Sequence, residues 1–254
     1  MAPPQGGRPG GRLAGRLALV TGASRGLGRA VALKFAEEGA DLILVARTVG
    51  GLEEVDDQVR AMGRQATLVP LDITDFDALD RMGQALYERF GRLDVLVGAA
   101  AMLGILSPLA HVDPKIWKST LDLNLTAHWR LLRSLDPLLR ASPAGRAIFV
   151  TSGITQRTVP YWGPYAIAKS ALEAMVRMYA AEMAHTAVKA NLVNPGPMRT
   201  ALRAEAYPGE DPQSVPAPEE LAEAFVPLAE ASCDLNGEWV AADEWLKSRS
   251  LQRQ

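Results

Sequence analysis

The chain has 254 residues, 48% hydrophobic and 22% charged, with a net charge of −2. A chain of this length and composition can bury a large core within one domain, and its near-neutral charge gives no electrostatic ground for a nucleic-acid or membrane-surface partner. The single cysteine, Cys233, excludes an internal disulfide and fits a reducing, cytoplasmic setting; packed as a small apolar side chain, it needs no chemical role.

Residues 1–16 are rich in Pro, Gly and Arg and hold no apolar run, so a disordered tail is expected there rather than a secretion signal. The segment is basic and free of acids, as mitochondrial leaders are, but its Gly and Pro content opposes an amphipathic helix. No later stretch is long and apolar enough to span a membrane. From Leu17 onward, apolar β-type runs at 17–21, 41–46, 66–71, 94–99, 146–151, 188–193 and, more weakly, 238–241 alternate with amphipathic patterns. The helical patterns cover 26–38, 52–62, 75–90, 114–139, 164–184 and 218–230. Continuous apolar strands alternating with helices predict a doubly wound α/β fold: a parallel sheet of about seven strands with helices on both faces. Residues 17–254 are expected to form a single domain, with 246–254 as a C-terminal tail.

The first run leads into Thr21-Gly22-Ala23-Ser24-Arg25-Gly26-Leu27-Gly28 and then a helical pattern. In that strand–turn–helix setting the glycines permit a tight turn, close approach of backbone N–H groups to a diphosphate, and close helix packing, so a dinucleotide is the expected ligand. Much later, Gly163 and Pro164 suit the first turn of a helix, which brings Tyr165 and Lys169 onto one face at i and i+4. A fixed ammonium near a phenol favours the phenolate and lowers its pKa, which would make Tyr165 an acid–base group. Taken alone, the pair fits equally a solvated lysine beside a packed tyrosine.

Thr21-Gly22-x-x-x-Gly26-x-Gly28 together with Tyr165-x-x-x-Lys169 resembles the classical short-chain dehydrogenase/reductase family, from Leu17 to about Val240. The resemblance implies a Rossmann-type domain in which a nicotinamide exchanges a hydride with a carbonyl or secondary alcohol. The second strand ends in Ala46-Arg47-Thr48, without the acid that would hold the ribose hydroxyls of NAD(H); Arg47, with Arg25 as a second cation, suits the extra phosphate of NADP(H). NADP(H) is therefore the preferred cofactor, with NAD(H) as the alternative. Asp72, followed by Ile73, matches the family's adenine-contacting acid, or is a turn or N-cap residue before Thr74-Asp75. Gly98-Ala99-Ala100-Ala101 departs from the family's usual Asn-Asn-Ala-Gly: backbone contacts to the cofactor survive, but the bracing amides are missing.

The resemblance also implies that Lys169 binds the cofactor ribose with Tyr165 beside it, that Asn124 holds a water joining Lys169 to solvent, and that Ser152 hydrogen-bonds the substrate oxygen while Tyr165 donates the proton. His128, one turn after Asn124, is read as packing. Pro195-Gly196-Pro197-Met198-Arg199-Thr200 matches the turn that holds the nicotinamide amide, with Pro195, Gly196, Met198 and Thr200 in contact. The Pro-rich stretch 201–218 is expected to form a mobile lid. No serine-hydrolase elbow surrounds Ser152 and no Cys/His spacing suits a metal.

The expected partner is a small carbonyl or alcohol substrate held among Met102, Leu103, Ile154, Val159, Tyr161, Trp162, Met198 and Leu202, residues that also suit simple packing. A 3-oxoacyl thioester reductase is one alternative, although 182–186 is not the basic surface an acidic carrier would need. A non-catalytic NADP(H)-binding regulator or scaffold is another, prompted by Gly98 to Ala101. The family resemblance implies a homodimer or homotetramer.

Overall fold

The apolar runs become strands because β-branched and leucine side chains can be buried on both faces of a parallel sheet at once. In the computed structural model, which describes residues 11–252, they are β1 (Leu17–Thr21), β2 (Asp41–Ala46), β3 (Ala66–Pro70), β4 (Val95–Gly98), β5 (Arg146–Val150), β6 (Lys189–Asn194) and β7 (Trp239–Ala241). All pair in parallel, in the order β3-β2-β1-β4-β5-β6-β7. The expected seven-stranded doubly wound sheet is the one observed. Its order reverses between β1 and β4, which opens a crevice at the carboxyl ends of those strands.

Alternation along each strand divides the core in two. Val20, Leu42, Leu44, Val97 and Ile148 meet α1 (Gly26–Glu37) and α2 (Val49–Ala61) on one face. Leu19, Ile43, Val45, Leu96 and Phe149 meet α3 (Phe76–Phe90), α5 (Ala127–Ala141) and α6 (Gly163–Glu182) on the other. The short helices α4 (Pro114–Leu121) and α7 (Ala201–Ala206) border the crevice, while α8 (Pro218–Ala222), α9 (Val226–Ala229) and α10 (Ala242–Gln252) close the first face. Cys233 is half-buried against this same face.

Four expectations need correction. The disordered tail does not extend to Arg16: residues 11–16 form turns in which Leu13 is fully buried and its N–H donates to the Glu38 carbonyl at 2.8 Å. Arg12 pairs with Glu223 and Glu230, and Arg16 donates to the carbonyls of Asp94 (2.9 Å) and Ala144 (2.6 Å). Long-range partners order what local composition would leave loose; residues 1–10 lie outside the described region. The helix expected over 114–139 is interrupted by a π-turn, Asp122–Thr126, where the Ala127 N–H reaches back five residues to Asp122. The single helix expected over 218–230 divides around a 3₁₀ turn before Pro227, which has no N–H to donate. The expected C-terminal tail at 246–254 instead continues α10 to Gln252, anchored by the buried Ala242 and by Trp245 against the core; residues 253–254 lie outside the described region.

Leu13→Ala distinguishes an ordered turn from a tail. It is expected to cost about 2–5 kcal/mol, as for other buried leucines, measured by urea denaturation; a tail residue would cost nothing.

Candidate active site

The site grows out of the crevice between β1 and β4. Gly22 and Gly26 adopt φ of +67° and +56°, the left-handed region that glycine reaches without strain. A Cβ on Gly28 would lie 2.3 Å from the Gly22 carbonyl oxygen, so only glycine lets α1 settle onto the turn. The N-terminus of α1 has no capping side chain and no acid in its first turn. Its N–H groups and positive dipole end therefore remain available to an anion.

Three side chains grip the segment after β4. The Thr21 hydroxyl accepts from the Ala99 and Ala100 N–H groups at 3.1 and 3.2 Å. His128 Nε2 meets the Ala100 carbonyl at 3.0 Å, and the Asn124 amide bonds both the N–H and the carbonyl of Met102, at 3.0 and 2.8 Å. His128 is fully buried; burial, reinforced by the charge of Lys169, pushes its pKa down to about 3. The ring is neutral at physiological pH and donates through Nε2. A Cβ on Gly98 would lie 2.4 Å from the Phe149 ring and 2.9 Å from His128 Nδ1. The volume that an asparagine would need at 98 is thus filled by two other rings, and His128 supplies the brace from another direction.

At the far end of the crevice, Arg47 follows β2 and Asp72 follows β3, 3.7 Å apart, with 69% and 44% of their side chains exposed. Asp72 Oδ1 accepts from the Thr74 N–H (3.0 Å) and hydroxyl (2.7 Å), whereas Asp75 caps α3. Burial tends to raise the Asp72 carboxyl, but those bonds and the Arg47 charge outweigh it and hold the pKa below its ordinary value. Asp72 is therefore a turn residue that also lines the crevice.

At the near end, Ser152 follows β5 while Tyr165 and Lys169 project from α6, whose first turn contains Pro164 as expected. Lys169 Nζ lies 5.9 Å from the centre of the Tyr165 ring and donates to the Val150 carbonyl at 2.8 Å. Burial pushes the Tyr165 phenol up to about 12, opposed by hydrogen bonding with Ser152. The lowering expected from Lys169 is not seen. Burial pushes Lys169 itself down to about 8, opposed by the charge of Glu173. Asn194 ties the two loops of this end together, its Oδ1 accepting from the N–H groups of Gly153 (2.9 Å) and Gly196 (3.1 Å).

These groups share one cleft of about 1190 Å³. It contains the expected set except Thr21 and Asn124, from Gly22, Ser24, Arg25, Gly26, Leu27 and Gly28 through Arg47, Thr48, Asp72, Ile73, Ala99, Ala100 and Ala101 to Ser152, Tyr165, Lys169, Pro195, Gly196, Met198 and Thr200. Thr21 and Asn124 lie behind the wall, fully buried, and act through the backbone they hold. Of the expected apolar pocket, Met102, Ile154, Trp162, Met198 and Leu202 line the cleft; Leu103, Val159 and Tyr161 do not. The stretch 201–218 is folded: Thr200 caps α7, Arg203 forks onto Glu210, and Arg203 stacks 3.7 Å over the ring of Tyr207. Tyr207 in turn lies 5.9 Å from Trp162, which lies 6.0 Å from Tyr165. Tyr207, Asn194 and Glu173 escaped the sequence reading, and His128, read there as packing, also braces the Ala100 carbonyl. No cluster suited to a metal ion occurs among the described residues.

A model of the short chain dehydrogenase family matches residues 16–211. The chain belongs to the short-chain dehydrogenase/reductase family. Among curated relatives, the uncharacterized oxidoreductase YciK of Escherichia coli K12 is 34% identical over 209 residues, 81% of this chain and 82% of its own. A short chain dehydrogenase structure from Pseudomonas syringae superposes with a TM-score of 0.87 at 35% identity, covering 91% of this chain and 95% of that one. A second, from Escherichia coli CFT073 and solved with NADPH, gives a TM-score of 0.86 at 33% identity over 91% and 97% of the two chains. As a short-chain dehydrogenase/reductase the chain is an oxidoreductase of a nicotinamide-using family. Among the described residues no helix is long and apolar enough to cross a membrane.

Thr21→Val keeps the shape of the side chain but leaves two N–H groups without their acceptor. It is expected to cost about 1–3 kcal/mol in urea denaturation, and Thr21→Ser to recover most of that.

Proposed function

We propose that the protein is an NADP(H)-preferring oxidoreductase that interconverts a carbonyl and a secondary alcohol, with Tyr165 as the acid–base group. The observation that carries this reading is that Ser152, Tyr165 and Lys169 line the same cleft as the glycine turn and Arg47. The residues fit the dinucleotide: the uncapped start of α1 suits a diphosphate, and the exposed guanidinium of Arg47, with Arg25 on the same wall, suits the additional phosphate. The relative solved with NADPH supports the same cofactor. NAD(H) lacks the phosphate that Arg47 would hold and should bind more weakly. Asp72 and Ile73 would border the adenine, Ala99 to Ala101 the neighbouring ribose, and Pro195, Gly196, Met198 and Thr200 the nicotinamide amide.

When bound, the dinucleotide supplies or accepts the hydride at the substrate carbon. The chain's own groups manage the proton. Tyr165, held up to about 12, keeps its proton at neutral pH and donates it to the carbonyl oxygen, which the Ser152 hydroxyl orients. Lys169, at about 8, is still mostly charged at pH 7 and stabilises the phenolate left behind. In the oxidative direction the same phenolate takes the proton. Asn124, whose side chain holds the Met102 N–H and carbonyl, supports the proton path to Lys169 by fixing the loop beside it. Trp162, Leu202 and Tyr207 form an apolar wall for the substrate, and α7 at the start of 201–218 covers that side of the cleft. A homodimer or homotetramer in the cytoplasm is the setting proposed.

The regulator reading rested on the missing amides at Gly98 and Ala99. Thr21 and His128 supply bracing bonds there, which weakens that motive. The test is oxidation of NADPH and NADH against ketones, aldehydes, quinones and 3-oxoacyl thioesters. Tyr165→Phe should lower turnover by about 10²–10⁴-fold while NADPH binding, followed by its fluorescence, survives. Arg47→Ala should weaken NADPH binding by about 10–100-fold, the worth of a charge-assisted hydrogen bond, and leave NADH little changed. NADPH binding without turnover on any substrate would favour the regulator.

A further inference from the structure

Beneath Tyr165 and Lys169 lies a third titratable side chain on the same face of α6. Glu173 follows Lys169 by four residues, as Lys169 follows Tyr165, and only 4% of it is exposed. Its Oε1 accepts from the Thr151 hydroxyl at 2.6 Å, the Thr155 hydroxyl at 2.7 Å and the Trp239 indole N–H at 2.9 Å. Arg177 Nη2 stands 3.6 Å from Oε2. The three donors occupy Oε1 alone, and on the other side the Arg177 guanidinium faces Oε2, where a carboxylate accepts and a glutamine would present an NH2 donor. The two threonines bracket Ser152, and the Thr155 hydroxyl also lies 2.9 Å from the Ser152 carbonyl. Trp239 comes from β7 and lines the cleft.

We propose that Glu173 is a positioning residue of the active site, fixing the backbone on both sides of Ser152 through the two threonine hydroxyls and supplying the counter-charge to Lys169. Its influence on turnover rests on the oxidoreductase reading; its influence on Lys169 does not. The groups facing Lys169 are Tyr165 and Glu173 from its own helix, the neutral His128 from α5 and the Val150 carbonyl from β5. Arg177, further along α6, lies on the other oxygen of the carboxylate. Glu173 is thus the anion that offsets the desolvation of the buried ammonium. Removing it disfavours the charged lysine, so the Lys169 pKa must fall.

The experiment titrates Lys169 by NMR in cofactor-free protein labelled at lysine Cε, its signal assigned by loss in Lys169→Met. In Glu173→Gln the midpoint should drop from the native position near 8 by about one pH unit or more. Glu173→Asp retains the charge and should stay near the native midpoint. With an active substrate, Glu173→Gln should lower kcat by up to about 10²-fold with the KM for NADPH little changed, the cost of displacing a positioning group by about 1 Å. Its loss of activity at high pH should move to lower pH with Lys169. Thr155→Val should lower kcat without moving the Lys169 midpoint. An unmoved midpoint in Glu173→Gln, or native kcat in Thr155→Val, overturns the proposal. If Glu173→Gln does not fold, Glu173→Asp decides: its shorter reach must lower kcat at a native midpoint, and native kcat overturns the positioning role. A native protein inactive on every substrate would count against hydride transfer and leave the titration to judge Glu173.

Discussion

A parallel sheet buried on both faces leaves the ends of its strands for chemistry, and here one hydroxyl extends the β1–β4 ladder past the strand ends at the reversal of order. Thr21 closes β1 and accepts from the two N–H groups that follow β4. Everything downstream depends on this join. It sets the distance between the glycine turn and Ala100, whose backbone would sit only 3.0 Å from a Cβ on Gly22. It also fixes the start of the loop that Asn124 holds two residues later. The crevice is therefore a product of backbone hydrogen bonding, and the side chains around it inherit their positions from that framework.

Burial governs the chemistry of the site more than charge pairing does. Tyr165, Lys169 and His128 are each displaced from their ordinary pKa toward the neutral form, and in each case loss of water is the leading cause. The consequences differ. A neutral phenol is a proton donor, a neutral imidazole is a fixed hydrogen-bond brace, and only the lysine keeps a nearby anion that resists its neutralisation. One desolvated pocket thus assigns three separate duties to three titratable groups.

Much of this was legible in the sequence. Strands buried on both faces read as unbroken apolar runs, so all seven were visible, and the glycine spacing together with Tyr165 and Lys169 marked the two ends of the cleft. What was not legible depends on partners far away in the chain. Leu13 looks like an isolated leucine in a Gly/Arg-rich leader until Glu38, Asp94 and Ala144 come to meet its turn. A π-turn adds one residue to a helical pattern whose period is too coarse to register it. The rise of the Tyr165 pKa needs the degree of burial, which spacing does not carry. His128 resembled a packing residue because nothing in its neighbourhood names Ala100 as its acceptor. Glu173 did leave a trace, an acid one turn beyond Lys169 on the face that already carries Tyr165 and Lys169.

Gly98 carries a consequence for how such a sequence can change. Its missing side chain, the Phe149 ring and the His128 imidazole share one volume, with a methyl at 98 intruding to within 2.4 Å of the first and 2.9 Å of the second. In this fold a larger residue at 98 is accommodated only if the Phe149 ring or the His128 imidazole moves or is reduced, so the three positions are tied together through that one volume.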